Sequence, residues 1–162
     1  MPRITPNLWF DTEAEEAAEF YCSIFPNSKI TSVSHYTDAG PRPVGMVMTV
    51  AFVLDGQDYV ALNGGPEFKF TEAISLQINC ADQDEVDYYW EKLSDGGQEI
   101  ECGWLKDRYG LAWQVTPEGM MEVLSSDDPA RIDRAMKAMF TMKKLDLAVL
   151  QAAADGTTGD AA

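Results

Sequence analysis

Apolar and polar residues alternate along Ile4-Thr-Pro-Asn-Leu-Trp-Phe10, as they do in a strand with one buried face. The period then changes. Ala17, Phe20, Tyr21 and Ile24 fall at i, i+3, i+4 and i+7, which predicts a helix capped by Asp11 or Thr12. Glu15 and Glu16 stand in its first turn, where the helix dipole favours them, and Pro26-Asn27 ends it. Strands are expected at residues 30–36, 44–54 and 59–63, with Asp55-Gly56 as a hairpin signal between the last two. The first part of the chain therefore reads β-α-β-β-β.

The same order returns after the linker that starts at Asn63-Gly-Gly-Pro66. A strand is expected at residues 73–79, a helix at 84–94 stopped by Gly96-Gly97, and strands at 98–102, 104–106 and 111–116. Val123 or Leu124 is expected to close the sheet. The two stretches also match position by position, with Ile4, Leu8 and Phe10 set against Ile74, Ile78 and Cys80. In the helices, Ala17, Phe20, Tyr21 and Ile24 face Val86, Tyr89, Trp90 and Leu93. Two copies are too few for a solenoid, so the pattern is read as an internal duplication of units 4–65 and 73–124 within a domain 1–127.

The C-terminal stretch is different in kind. Asp127-Asp128-Pro129 is a helix-start signal with proline at the first helical position. Ile132, Ala135, Met136, Met139 and Phe140 form one apolar face, and Leu145, Leu147, Ala148 and Leu150 predict a second short helix. Residues 128–154 are thus a C-terminal helical tail, and 155–162 a frayed end.

Composition narrows the function. The 162 residues carry 27 acidic and 12 basic side chains, a net charge of −15, which repels phosphate backbones and argues against a nucleic-acid partner. No apolar run is long enough to span a bilayer, and the Met-Pro-Arg start lacks an apolar signal segment. Three cysteines with no CxxC pair suit a reducing, cytoplasmic setting. The single histidine, His35, excludes a multi-histidine metal site within one chain.

Strand alternation separates two sheet faces. Leu8, Phe10, Val60, Leu62, Leu76, Ile78, Trp113 and Val115 are assigned to the helix-covered face. The opposite face then receives Thr5, Asn7, Trp9, Tyr59, Ala61, Asn63, Ser75, Gln77, Asn79, Ala112, Gln114 and Thr116. Uncharged amides and hydroxyls beside indoles suit a cleft that orients a small organic molecule.

Here the chain resembles a family. The motifs are Glu15-Glu-Ala-Ala-Glu-Phe-Tyr21, Ile24-Phe-Pro-Asn-Ser28, Ala61-Leu-Asn-Gly-Gly-Pro66, Cys102-Gly-Trp-Leu-Lys-Asp107, Tyr109-Gly-Leu-Ala-Trp-Gln-Val-Thr-Pro117 and Met142-Lys-Lys-Leu-Asp146. Together with the opening strand they resemble the PhnB-like branch of the vicinal oxygen chelate superfamily, often labelled 3-demethylubiquinone-9 3-methyltransferase. That resemblance implies an α+β fold of two β-α-β-β-β units forming a curved mixed sheet, and a homodimer. Nothing in the chain resembles a glycine-rich turn for S-adenosylmethionine. In metal-dependent members of the superfamily the ligand positions correspond here to Thr5, Ala61, Ser75 and Gln114, none of them His or Glu, so neither a metal nor a cofactor is expected.

The expected function is metal-free binding of a small organic molecule in a concave cleft. Thr5, Asn7, Trp9, Asn63, Ser75, Gln77, Trp104 and Gln114 are the residues expected to line it. Two other readings stay open at this level. One is an enzyme (lyase, isomerase or transferase) using His35, Glu101 or Asp107 for acid–base chemistry. The other is a protein-interaction module.

Overall fold

The computed structural model describes residues 3–157, so most of the expected frayed end lies outside the described residues. The chain divides into two compact units, Met1–Phe70 and Thr71–Ala162, and each is taken by itself. The α+β class holds.

In the first unit the order is β1 (Asn7–Phe10), α1 (Ala14–Ile24), β2 (Lys29–His35), β3 (Val47–Leu54) and β4 (Gln57–Asn63). The sheet order is β1-β4-β3-β2, with β1 and β4 parallel and the other neighbours antiparallel. The predicted hairpin at Asp55-Gly56 is present. Both residues have positive φ (44° and 82°), and Leu54 pairs with Gln57 across a two-residue loop. Helix α1 buries Ala14, Ala17, Ala18, Tyr21 and Ile24, and Tyr21 stacks on Phe52 of β3 with ring centroids 6.4 Å apart.

Register corrects the expected faces of this unit. Leu8 pairs with Ala61 and Phe10 with Asn63, while Ala61 also pairs with Val50. Residues paired across a ladder share a face. Ala61 and Asn63 therefore join Leu8, Phe10, Val50 and Phe52 in the core, with Ala61 fully buried. Val60 and Leu62, expected inside, stand on the other face with Asn7 and Trp9. The expected cap is corrected too. The N-cap position is Glu13, with no side-chain cap bond, and the Ala14 N–H donates to Asn63 Oδ1 at 2.9 Å.

The second unit repeats this topology with β5 (Ser75–Cys80), α2 (Gln83–Ser94), β6 (Gln98–Glu99), β7 (Trp104–Lys106) and β8 (Ala112–Pro117) in the order β5-β8-β7-β6. Strands β5 and β8 are again parallel. Asp82 caps α2 by accepting the Glu85 N–H at 3.0 Å, and α2 buries Val86, Trp90 and Leu93. Cys80, Leu105, Trp113 and Val115 form the buried face of the sheet.

Val123 and Leu124 do not close the sheet as a strand. They lie in α3 (Glu118–Leu124), followed by α4 (Pro129–Met139) and α5 (Leu147–Asp155). Helix α4 starts where the sequence places its start signal, with Asp128 accepting from Ala130 N at 3.0 Å, and α5 is capped by Asp146, which accepts from Val149 N at 3.0 Å and leaves Leu145 before the helix. Gly156, at φ 72°, ends α5 in the left-handed conformation. Val123, Ala135 and Ala154 pack together, and Arg134 donates to the carbonyls of Ala153 and Ala154 at the end of α5. No helix among the described residues is long and apolar enough to cross a membrane.

Candidate functional site

The second unit brings four of the expected residues onto one sheet face. Ladder pairing sets Trp104 opposite Gln114 and Gln114 opposite Gln77, a row across three strands. The adjacent row on that face is Lys106, Ala112 and Ser75. Gln114 Nε2 donates to Ser75 Oγ at 2.8 Å, which fixes the amide's orientation between β8 and β5. Gln77 Nε2 donates to Asn79 Oδ1 at 2.7 Å. Trp104, Gln114 and Ser75 are half-buried, whereas Gln77 and Asn79 are exposed.

Charge sits at one end only. Lys106 Nζ pairs with Glu72 at 2.5 Å, and this ammonium, chiefly by its hydrogen bond, holds the Glu72 carboxyl below its ordinary range. Sequence reasoning passed over this pair. The signal available was Lys106 at the same parity as Trp104 on β7.

In the first unit Thr5, Asn7 and Trp9 share a side of the chain. Asn7 Nδ2 donates to the Thr5 carbonyl at 3.1 Å. Trp9 Nε1 donates to the Gly65 carbonyl at 2.8 Å, and the ring meets Phe68 edge-on with centroids 4.9 Å apart. Gly64 lies flat against that indole, since a Cβ there would stand 2.3 Å from Trp9 Cζ2. With Val60 and Leu62 beside Trp9, this face is more apolar than alternation alone implied.

Asn63 leaves the set of expected lining residues. It is 2% exposed, its Oδ1 accepts from Ala14 N, and its Nδ2 donates to the Val47 carbonyl at 3.0 Å. Both ends of the amide are committed to the core.

The candidate proton carriers are found on both units. His35 ends β2 and is exposed, and Glu101 is exposed in a turn. Asp107 is 2% exposed and accepts from Tyr109 N and Leu111 N through Oδ1, and from Trp113 Nε1 at 2.9 Å through Oδ2. It holds the turn between β7 and β8 closed. The donor set at Thr5, Ala61, Ser75 and Gln114 does not fit a divalent ion. It offers no carboxylate or imidazole, and Ala61, facing the core, offers no donor atom.

A family model described as 3-demethylubiquinone-9 3-methyltransferase matches residues 2–116. Among solved structures the chain is similar to the PhnB protein of Bacillus cereus, at 36% identity and a TM-score of 0.66, covering 72% of this chain and 99% of that one. Protein PA1353 of Pseudomonas aeruginosa is similar at 21% identity and a TM-score of 0.61, covering 73% of this chain and 98% of that one. The monoclinic form of the fosfomycin resistance protein FosX of Listeria monocytogenes is similar at 17% identity and a TM-score of 0.52, covering 77% and 98%. The last two likenesses are of fold. Comparison with curated proteins returned no match.

Proposed function

The chain belongs to the PhnB-like family described as 3-demethylubiquinone-9 3-methyltransferase, within the vicinal oxygen chelate superfamily, and on that premise we propose that it binds a small neutral organic molecule without a metal. The site is the face of the second sheet that carries Trp104, Gln114, Gln77 and Ser75, which are its lining. The observation that carries this reading is the Gln114–Ser75 hydrogen bond, which orients one amide and leaves its Oε1 for a ligand donor. A protein of net charge −15 keeps this row of side chains free of carboxylates, which favours an uncharged, oxygen-bearing partner with a flat apolar part for the Trp104 indole. On the first unit, Thr5, Asn7 and Trp9 would make a separate and more apolar binding face of their own. Acid–base catalysis has less support, because the buried carboxylate of Asp107 is committed to three donors.

A thermal-shift screen of small aromatic and oxygen-rich metabolites on the wild type and on Gln114→Leu tests the proposal. Losing the amide leaves a ligand group unpaired, a cost of about 1–3 kcal/mol or roughly tenfold or more in affinity. Hits that stabilise the wild type should weaken in the variant. Hits that persist unchanged in the variant, or no hits with the wild type, overturn it. The homodimer belongs to the same proposal, and light scattering that finds a monomer removes it.

A further inference from the structure

We propose that the segment of residues 142–146, between α4 and α5, together with the first residue of α5, is a strap that positions Trp104 on the binding face, so that affinity depends on residues that never touch the ligand. This rests on the binding reading above. The strap lies beyond residues 2–116, the part of the chain that the family match covers.

Trp104 opens β7 after a turn whose carbonyls are held by the sheet: Val115 N of β8 donates to the Gly103 carbonyl at 2.8 Å, and Ile100 N to the Trp104 carbonyl at 2.9 Å. The N–H groups of Cys102 and Gly103 instead donate away from the strands. The turn before Trp104 places Cys102 at φ 60° and Gly103 at φ 81°, and Trp104 N donates to the Glu101 carbonyl at 3.2 Å. A left-handed cysteine is disfavoured by its Cβ, so the turn persists only where its surroundings over-determine it.

The strap supplies the part of that determination that falls on the two turn amides. Cys102 N donates to the Met142 carbonyl at 2.8 Å, and Gly103 N to the Lys143 carbonyl at 2.7 Å. Leu145, fully buried, presses on Gly103, where any Cβ would meet Leu145 Cδ1 at 2.8 Å. The strap is in turn pinned to the start of α2 by one side chain. Gln83 Nε2 donates to the Leu145 carbonyl at 3.0 Å, and Gln83 Oε1 accepts from Leu147 N at 2.9 Å. Lys144 adds an ion pair with Asp87 at 2.6 Å. Gln83 thus acts through the strap on the turn, and through the turn on Trp104; it is a positioning residue.

The test compares the full chain with Gln83→Ala and with Leu147→Pro. The second variant removes the Leu147 N–H at the first position of α5, where proline is tolerated, and Asp146 before it is already extended (φ −115°, ψ 107°). Amide exchange at Cys102 and Gly103 and the four indole N–H resonances are read by NMR, and binding is measured with the strongest hit of the thermal-shift screen. Both variants should speed exchange at those two amides about tenfold or more. They should shift the Trp104 indole while leaving Trp9, Trp90 and Trp113 in place, and weaken the hit about tenfold. Unchanged exchange and an unmoved Trp104 indole overturn the strap, and so does a moved indole with unaltered affinity. A variant that fails to fold leaves the other to decide. If no compound stabilises the wild type, the binding reading falls, and the exchange and indole measurements then decide the strap alone.

Discussion

Asn63, the last residue of β4, receives the backbone N–H of Ala14, the first residue of α1, on its Oδ1 at 2.9 Å. A residue far along the chain thereby does what a local N-cap would do. The same side chain donates to Val47, and the Asn63 carbonyl accepts from Tyr36 Oη at 2.7 Å. Replacing Asn63 by Ala should leave Ala14 N and the Val47 carbonyl without these partners and lower stability by about 1–3 kcal/mol in urea unfolding. Ligand affinity corrected for folding should not change.

Asp107→Asn probes a structural carboxylate. Asparagine keeps one acceptor for the turn amides but sets an NH2 group against Trp113 Nε1–H, which the carboxylate now accepts at 2.9 Å. A buried donor facing a donor should cost about 1–3 kcal/mol, read as a lower melting temperature and a displaced Trp113 indole signal. A variant as stable as the wild type would make Asp107 a functional candidate again.

Burial, with the Glu85 and Asp82 carboxylates adding to it, pushes the Cys80 thiol up to about 12. In the folded chain Cys80 should therefore resist iodoacetamide at pH 8, while unfolding exposes it. The unfolded thiol ionises from about pH 9 and the folded one does not, so this contribution to stability is intact below pH 9 and is lost as pH rises toward 12. Cys80→Ala should remove that part of the alkaline slope.

Removing residues 128–162 should do more than shorten the chain. Leu145 and Leu150 are at most 1% exposed, and burying a leucine is worth about 1.5–3 kcal/mol. Losing Ala135 and Ala154 uncovers Val123, and losing Leu145 uncovers the notch above Gly103. The truncated protein should aggregate or melt at lower temperature. A soluble truncation with the full-length melting point would show that the tail adds nothing to the second unit.

Zinc, manganese or nickel added at several-fold excess should leave the melting temperature unchanged, as should a chelator, because no metal-binding energy is then linked to folding. A stabilising shift from any of these ions that Gln114→Leu abolishes would sink the metal-free reading.

Local physical chemistry made much of this protein legible from its sequence. The helical spacing of Ala17, Tyr21 and Ile24, the Asp55-Gly56 turn and the Asp128-Pro129 start each depend on neighbours within a few residues, and each stands where the sequence places it. The repeated β-α-β-β-β order and the Trp104–Gln114–Gln77 face followed from such signals, because Gln114 sits between buried Trp113 and Val115, and Trp104 beside buried Leu105. Tertiary structure alone decided the places where local signals balance. Tyr59-Val-Ala-Leu-Asn63 is apolar on both sides, so its inward face was set only by the pairing of Leu8 with Ala61. Asn63 could become a cap only once the distant N–H of Ala14 was brought to 2.9 Å from its Oδ1. Val123 has a strand former's side chain but packs as a helix residue, because Ala135 and Ala154 arrive from the tail to bury it there.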